Sequence, residues 1–222
     1  MTKDLWLKLA CTGAVVAAVL TCATLSNVPR VTAQSSGDSR VLLGMQAAPV
    51  PLNMNGKNPA MVGLGSYFVN VAGDCNGCHS AGPQTEYVGL NNPYFGRPAH
   101  MNPATYLGGG RDFGALIPGS YHIVSRNLTP DSTGRPEGGN TFEQFRQIMR
   151  TGVDPDHRHP NCTGAPDATC IPAPFDGNLL QVMPWPNLKN LSDNDLRAIY
   201  EYLKAVPCLQ GADPYEPAHR CG

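Results

Sequence analysis

Cys75-Asn76-Gly77-Cys78-His79 decides the reading of this chain. Two thiols three positions apart fall on one side of a helical turn, and an imidazole follows at once. Such a set can bond the two vinyl groups of a porphyrin while the imidazole meets the iron, and Cys-x-x-Cys-His is the pattern of covalent haem attachment. A bare Cys-x-x-Cys would also suit a redox dithiol or half a zinc site. Here no second Cys-x-x-Cys completes a zinc site, and no βαβ pattern surrounds the motif. The expected cofactor is one covalent haem c, held by Cys75 and Cys78, with His79 as proximal iron ligand.

The other side of the iron needs a ligand from elsewhere in the chain. Met183-Pro184-Trp185-Pro186 presents a thioether in a stretch whose prolines stiffen the backbone. Histidine/methionine ligation raises the reduction potential, which suits an electron carrier. Met149 is better explained as core, because it lies on the apolar stripe of a helix. Met45, Met54, Met61 and Met101 lie in or near loops without supporting context. His157 and His159, in Asp154-Pro155-Asp156-His157-Arg158-His159, leave two readings open, a metal or haem ligand and a solvated charged loop.

Working outward, Lys3 and Lys8 precede an uncharged run from Leu9 to Val28, and Val31-Thr32-Ala33 offers a signal-peptidase site. Residues 1–33 are therefore expected to be a signal peptide, the alternative being an N-terminal anchor in the inner membrane. Its removal takes away three basic residues and one acid, moving the net charge from −1 to −3. Neither value suggests strong steering of a partner, and no basic patch recommends nucleic acid.

Residues 34–59 read as a linker, 60–207 as one domain, and 208–222 as a tail. Gly 24 and Pro 21 make up about a fifth of the chain, which predicts long turn-rich connections between few short helices. The clearest helices begin at Thr141, with Phe142, Phe145, Ile148 and Met149 as the buried stripe, and at Ser192, with Leu196, Ile199, Tyr200 and Leu203. Cys162, Cys170, Cys208 and Cys221 form an even set suited to an oxidising compartment. Of three possible pairings, Cys162–Cys170 and Cys208–Cys221 are favoured because each closes a local loop; free thiols are the alternative.

Helix, Cys-x-x-Cys-His, long loop, Met-Pro and capped terminal helix together resemble class I cytochrome c domains. More narrowly, Ser125-Arg126-Asn127-Leu128-Thr129-Pro130-Asp131, Thr133-Gly134 and Thr141-Phe142-Glu143 look like the cytochrome c subunits of bacterial alcohol and sugar dehydrogenases. Leu191-Ser192-Asp193 through Leu203 matches their terminal helix, so the resemblance covers roughly residues 60–207. It implies an all-α, cytochrome c-like fold around one haem, with the first and last helices crossing at Gly63/Gly65 against Tyr200. It also implies His79 and Met183 as the iron ligands and Arg111 and Arg126 as propionate contacts. Those subunits usually carry three such motifs, whereas this sequence carries one, and its two iron ligands lie 104 positions apart.

The expected function is that of an exported, periplasmic monohaem electron carrier or electron-transfer subunit, not an enzyme in its own right. Its partners would be redox proteins (a dehydrogenase, an oxidase or another cytochrome), with membrane association only through the N-terminal segment. The alternative is a haem enzyme or gas sensor with an open distal site, against which Met183 argues.

Overall fold

A computed structural model describes residues 38–222, so the expected signal segment 1–33 lies outside the described residues. Helix α1 (Ser39–Ala47) starts where the Asp38 side chain accepts from Arg40 N–H at 3.1 Å. It falls within the segment 34–59 that the sequence marks as irregular. The reason is chemical: α1 docks through backbone and glycine rather than an apolar stripe. Gly44 abuts the Gly63 carbonyl, and Ser66 Oγ donates to Gly44 O at 2.6 Å, while Leu42 and Leu43 stay exposed. No 3.6-residue hydrophobic period marks such a helix.

Helix α2 (Pro59–Ser66) begins with Asn58 as its cap and Pro59 at the first helical position, where a missing N–H costs nothing. It continues as a π-helical turn, Tyr67–Ala72, and leads to α3 (Cys75–His79). Helix α4 (Phe142–Thr151) and, after the short α5 (Trp185–Leu188), the terminal α6 (Asp193–Leu203) complete the helical frame. Both α4 and α6 open with reciprocal capping boxes, Thr141 with Gln144 and Ser192 with Asp195. Each cap is worth about 1 kcal/mol.

Helices α2 and α6 cross at Gly65, which rests on Ala198 and Tyr202. Gly63 instead faces Val41 of α1, and Tyr200 turns to α4, its ring 5.6 Å from Phe142 and 5.7 Å from Phe145. Leu196, Leu203, Val62, Val69, Tyr106 and Tyr202 are fully buried between these elements. Each large apolar side chain so buried contributes about 1.5–3 kcal/mol.

The all-α expectation is corrected by the segment between α3 and α4. Strands β1 (Asp112–Ala115) and β2 (His122–Val124) pair antiparallel, Asp112 opposite Val124 and Ala115 opposite His122, with a register shift between. Gly114, at φ +79°, supplies the conformation that the irregularity needs, and Pro118-Gly119 turns the chain. Ile123 pins the hairpin to the interior. Isolated bridges join Tyr87 to Met101, Val153 to Leu179 and Asn161 to Ile171. The glycines and prolines that mark this region as loop in the sequence also build a short ladder.

Disulfides join Cys162 to Cys170 and Cys208 to Cys221, with Cα separations of 5.0 and 5.8 Å. The second fastens the tail, whose Arg220 guanidinium donates to the Thr129 carbonyl and pairs with Glu216. No helix among the described residues is long and apolar enough to cross a membrane.

Candidate haem site

Helix α3 is a single turn, entered through Asp74 in a left-handed conformation (φ +44°). It leaves Cys75 half-buried and Cys78 exposed, both as free thiols, while the other four described cysteines are oxidised. Burial, helped by Asp74 and Cys78, pushes the Cys75 thiol up to about 12.

Between the thiols, Asn76 is 2% exposed and fixes the turn from behind. Its Oδ1 accepts from Leu107 N–H at 2.8 Å, and its Nδ2 donates to Met101 Sδ at 2.9 Å. The Arg111 guanidinium donates to the Gly77 carbonyl and stacks 4.8 Å from the Phe113 ring of β1. Sequence reasoning missed Asn76 and Met101, because a side-chain contact 25 positions apart leaves no local pattern.

His79 Nδ1 lies 2.8 Å from the main-chain oxygen of Arg126. A carbonyl can only accept, so Nδ1 carries the hydrogen and the Nε2 lone pair is free. Burial lowers the imidazole pKa, against the opposing pull of that hydrogen bond, and keeps the ring neutral. Two free thiols on one turn, beside a neutral imidazole with an uncommitted nitrogen, fit covalent haem attachment.

Met183 is half-buried and packs against the apolar cluster that also receives Cys75. Its surroundings are stiff: Met183 N–H donates to Gln181 O at 2.7 Å, and Trp185 N–H to Met183 O at 2.9 Å. The Trp185 indole donates to Leu180 O at 3.2 Å and lies flush on Gly152, the left-handed cap of α4.

Arg126 is buried, and its guanidinium pairs with Asp154 and, at 2.5 Å, with Asp156. Its contribution to the His79 ring is therefore the carbonyl. Asp154 and His159 are themselves buried, whereas Pro155, Asp156 and His157 between them are exposed, so the loop is solvated at its tip and anchored at its two ends. His159 Nδ1 stands 3.5 Å from Asp154 Oδ2, and its ring meets Tyr121 edge-on at 5.0 Å. No three His, Cys, Asp or Glu side chains among the described residues are grouped to share a metal ion.

Comparison with known proteins adds one distant likeness. The chain is 27% identical over 163 residues to the gluconate 2-dehydrogenase cytochrome c subunit of Pantoea cypripedii. The match takes in 73% of this chain. It reaches only 26% of that relative, so the chain spans about a quarter of its length. By its name, that relative is a cytochrome c subunit of a dehydrogenase. No protein-family profile matches the chain.

Proposed function

We propose that this chain is an exported monohaem c-type cytochrome that carries electrons to or from a redox partner. Cys75 and Cys78 would hold the haem covalently, and His79 Nε2 and the Met183 thioether would be the ligands of its iron. The haem supplies a one-electron couple, and the chain's own residues hold it, shield it and set its potential. His79, its pKa lowered by burial and its ring oriented by the Arg126 carbonyl, would present Nε2 to the iron. Asn76 and Arg111 stiffen the attachment turn, and Arg111, half-buried beside it, is the propionate contact. Residues 1–33 direct export, residues 60–207 form the haem domain, and the tail 208–222 is its disulfide-fastened edge.

The observation that carries this reading is the 2.8 Å contact of His79 Nδ1 with the Arg126 carbonyl beside two free thiols. The likeness to a dehydrogenase cytochrome subunit supports a dehydrogenase as partner class. In the test, the full chain is matured in a host with a c-type assembly system and run on a denaturing gel. Haem should stay with the polypeptide at one iron per chain, and the oxidised spectrum should hold the methionine-to-iron charge-transfer band. Loss of haem on the gel overturns the attachment. Absence of the band, with tight cyanide binding at neutral pH, favours the open-site haem enzyme or sensor instead.

A further inference from the structure

Glu137 is buried at a place where a carboxyl is poorly served. It lies in the turn Pro136–Gly139 at φ +52°, in the left-handed region that favours glycine. The residue is 8% exposed, and its Oε2 has no hydrogen-bond partner. An ionised carboxylate in such a position is unfavourable, and a proton on it relieves the burden.

The charges that act on Glu137 belong to one cluster. The Arg126 guanidinium attracts it, and Asp156 and Asp154, both paired with that guanidinium, repel it. Beyond them Arg158 reaches Asp156 at 3.5 Å and Asp213 of the tail at 2.9 Å, and His159 faces Asp154. Arg135 precedes the turn, and Asn140 Nδ2 closes it by donating to the Glu137 carbonyl at 2.8 Å. Two guanidinium groups (Arg126 and Arg158) thus serve four carboxyl groups (Glu137, Asp154, Asp156 and Asp213). Carboxyl groups outnumber guanidinium groups there, so negative charge is in excess when every carboxyl is ionised. Protonating Glu137 removes part of that excess.

Arg126 faces two ways. Its guanidinium sits in this cluster, and its carbonyl accepts the His79 Nδ1–H. We propose that Glu137 takes up a proton when the protein is reduced and releases it on oxidation, so that electron transfer is coupled to proton transfer. This rests on the haem reading above. One electron arrives from the donor protein and one proton from solvent. The proton leaves a hydronium ion or buffer acid in solvent, breaking its bond there, and forms an O–H bond at the Glu137 carboxylate, so that the added negative charge is neutralised within the protein. Burial raises the Glu137 carboxyl to about 7 against the pull of Arg126, so the exchange falls in the neutral range.

The test follows the midpoint potential of the holoprotein by spectroelectrochemistry from acid to alkaline pH. The potential should fall as pH rises through neutrality, with a limit of 59 mV for each tenfold drop in proton activity, and level off on either side. Glu137→Gln should flatten the curve across that window. His159→Asn should leave it sloping. A flat wild-type curve overturns the coupling; a slope that survives in Glu137→Gln overturns Glu137 as the carrier. If the glutamine variant does not fold, reduced-minus-oxidised infrared spectra of the wild type serve instead. A protonated-carboxyl band that appears on reduction and shifts in D2O supports the proposal, and its absence overturns it. Failure of the haem reading would look different, since no reversible couple would be measured at any pH.

Discussion

Gly65 of α2 rests directly on the main-chain carbonyl of Ala198 in α6, with the Tyr202 Cβ beside it. A methyl group at residue 65 would overlap that carbonyl, which cannot swing aside because it belongs to a helix. Gly65→Ala should force the helices apart and destabilise the protein by about 1–3 kcal/mol, the usual range for overpacking. Chemical denaturation should give a lower midpoint with little change in slope. An unchanged midpoint would mean that the crossing is looser than the structure has it.

The distal side is tested at Met183. Met183→Ala should keep covalent haem, lower the reduction potential and open the iron to cyanide or carbon monoxide. Optical spectra with and without these ligands check it, and an unchanged spectrum would remove Met183 from the coordination sphere.

Asp154 is fully buried with Arg126 and His159 around it. Burial pushes its carboxyl up, but His159 and the Arg126 guanidinium outweigh that and hold it well below the ordinary range. A depressed carboxyl contributes stability that is present above its unfolded value, 3.8, and is lost as pH falls towards the folded one. Asp154→Asn should therefore cost about 3–5 kcal/mol at neutral pH, as breaking a buried pair does. The gap to wild type should narrow on acidification. Urea titrations at neutral pH and near pH 3 measure both ends; a gap that is the same at each would contradict the assignment.

Replacing Cys208 and Cys221 together by serine should free the tail and reduce stability by about 2–4 kcal/mol. The Arg220 contact with Thr129, the Arg158–Asp213 pair and the hydrogen bonds of Leu209 then have to hold residues 208–222 without a covalent tie. Hydrogen exchange should rise first around Leu209, whose amide bonds to Thr129 Oγ1 at 3.1 Å.

What could be read from the sequence was local. The Cys75–His79 turn, both disulfide pairings and both capping boxes depend on residues a few positions apart, and the structure has each of them where the sequence puts it. Distant contacts were not legible. Helix α1 packs through Gly44 on Gly63, which no periodicity reveals, and the β1–β2 hairpin grows from a stretch that reads as turn. The candidate site divides in the same way. Its thiols and imidazole were plain, but the Arg126 carbonyl that aligns His79 comes from 47 positions further along the chain. The sequence suggested the guanidinium of Arg126 for the site; that group is taken up by Asp154 and Asp156.

The described cysteines form two populations with opposite needs. Four are oxidised in pairs, and two lie three positions apart as thiols. An environment that joins the first four would also join the last two. Burial slows this at Cys75, because a thiol pushed up to about 12 supplies little thiolate, whereas Cys78 is exposed and has no such cover. The same inertness makes Cys75 a poor nucleophile towards a vinyl group once it is enclosed. On the proposed reading, joining both thiols to the porphyrin withdraws them from disulfide exchange, so the attachment itself keeps the two populations of sulfur sorted.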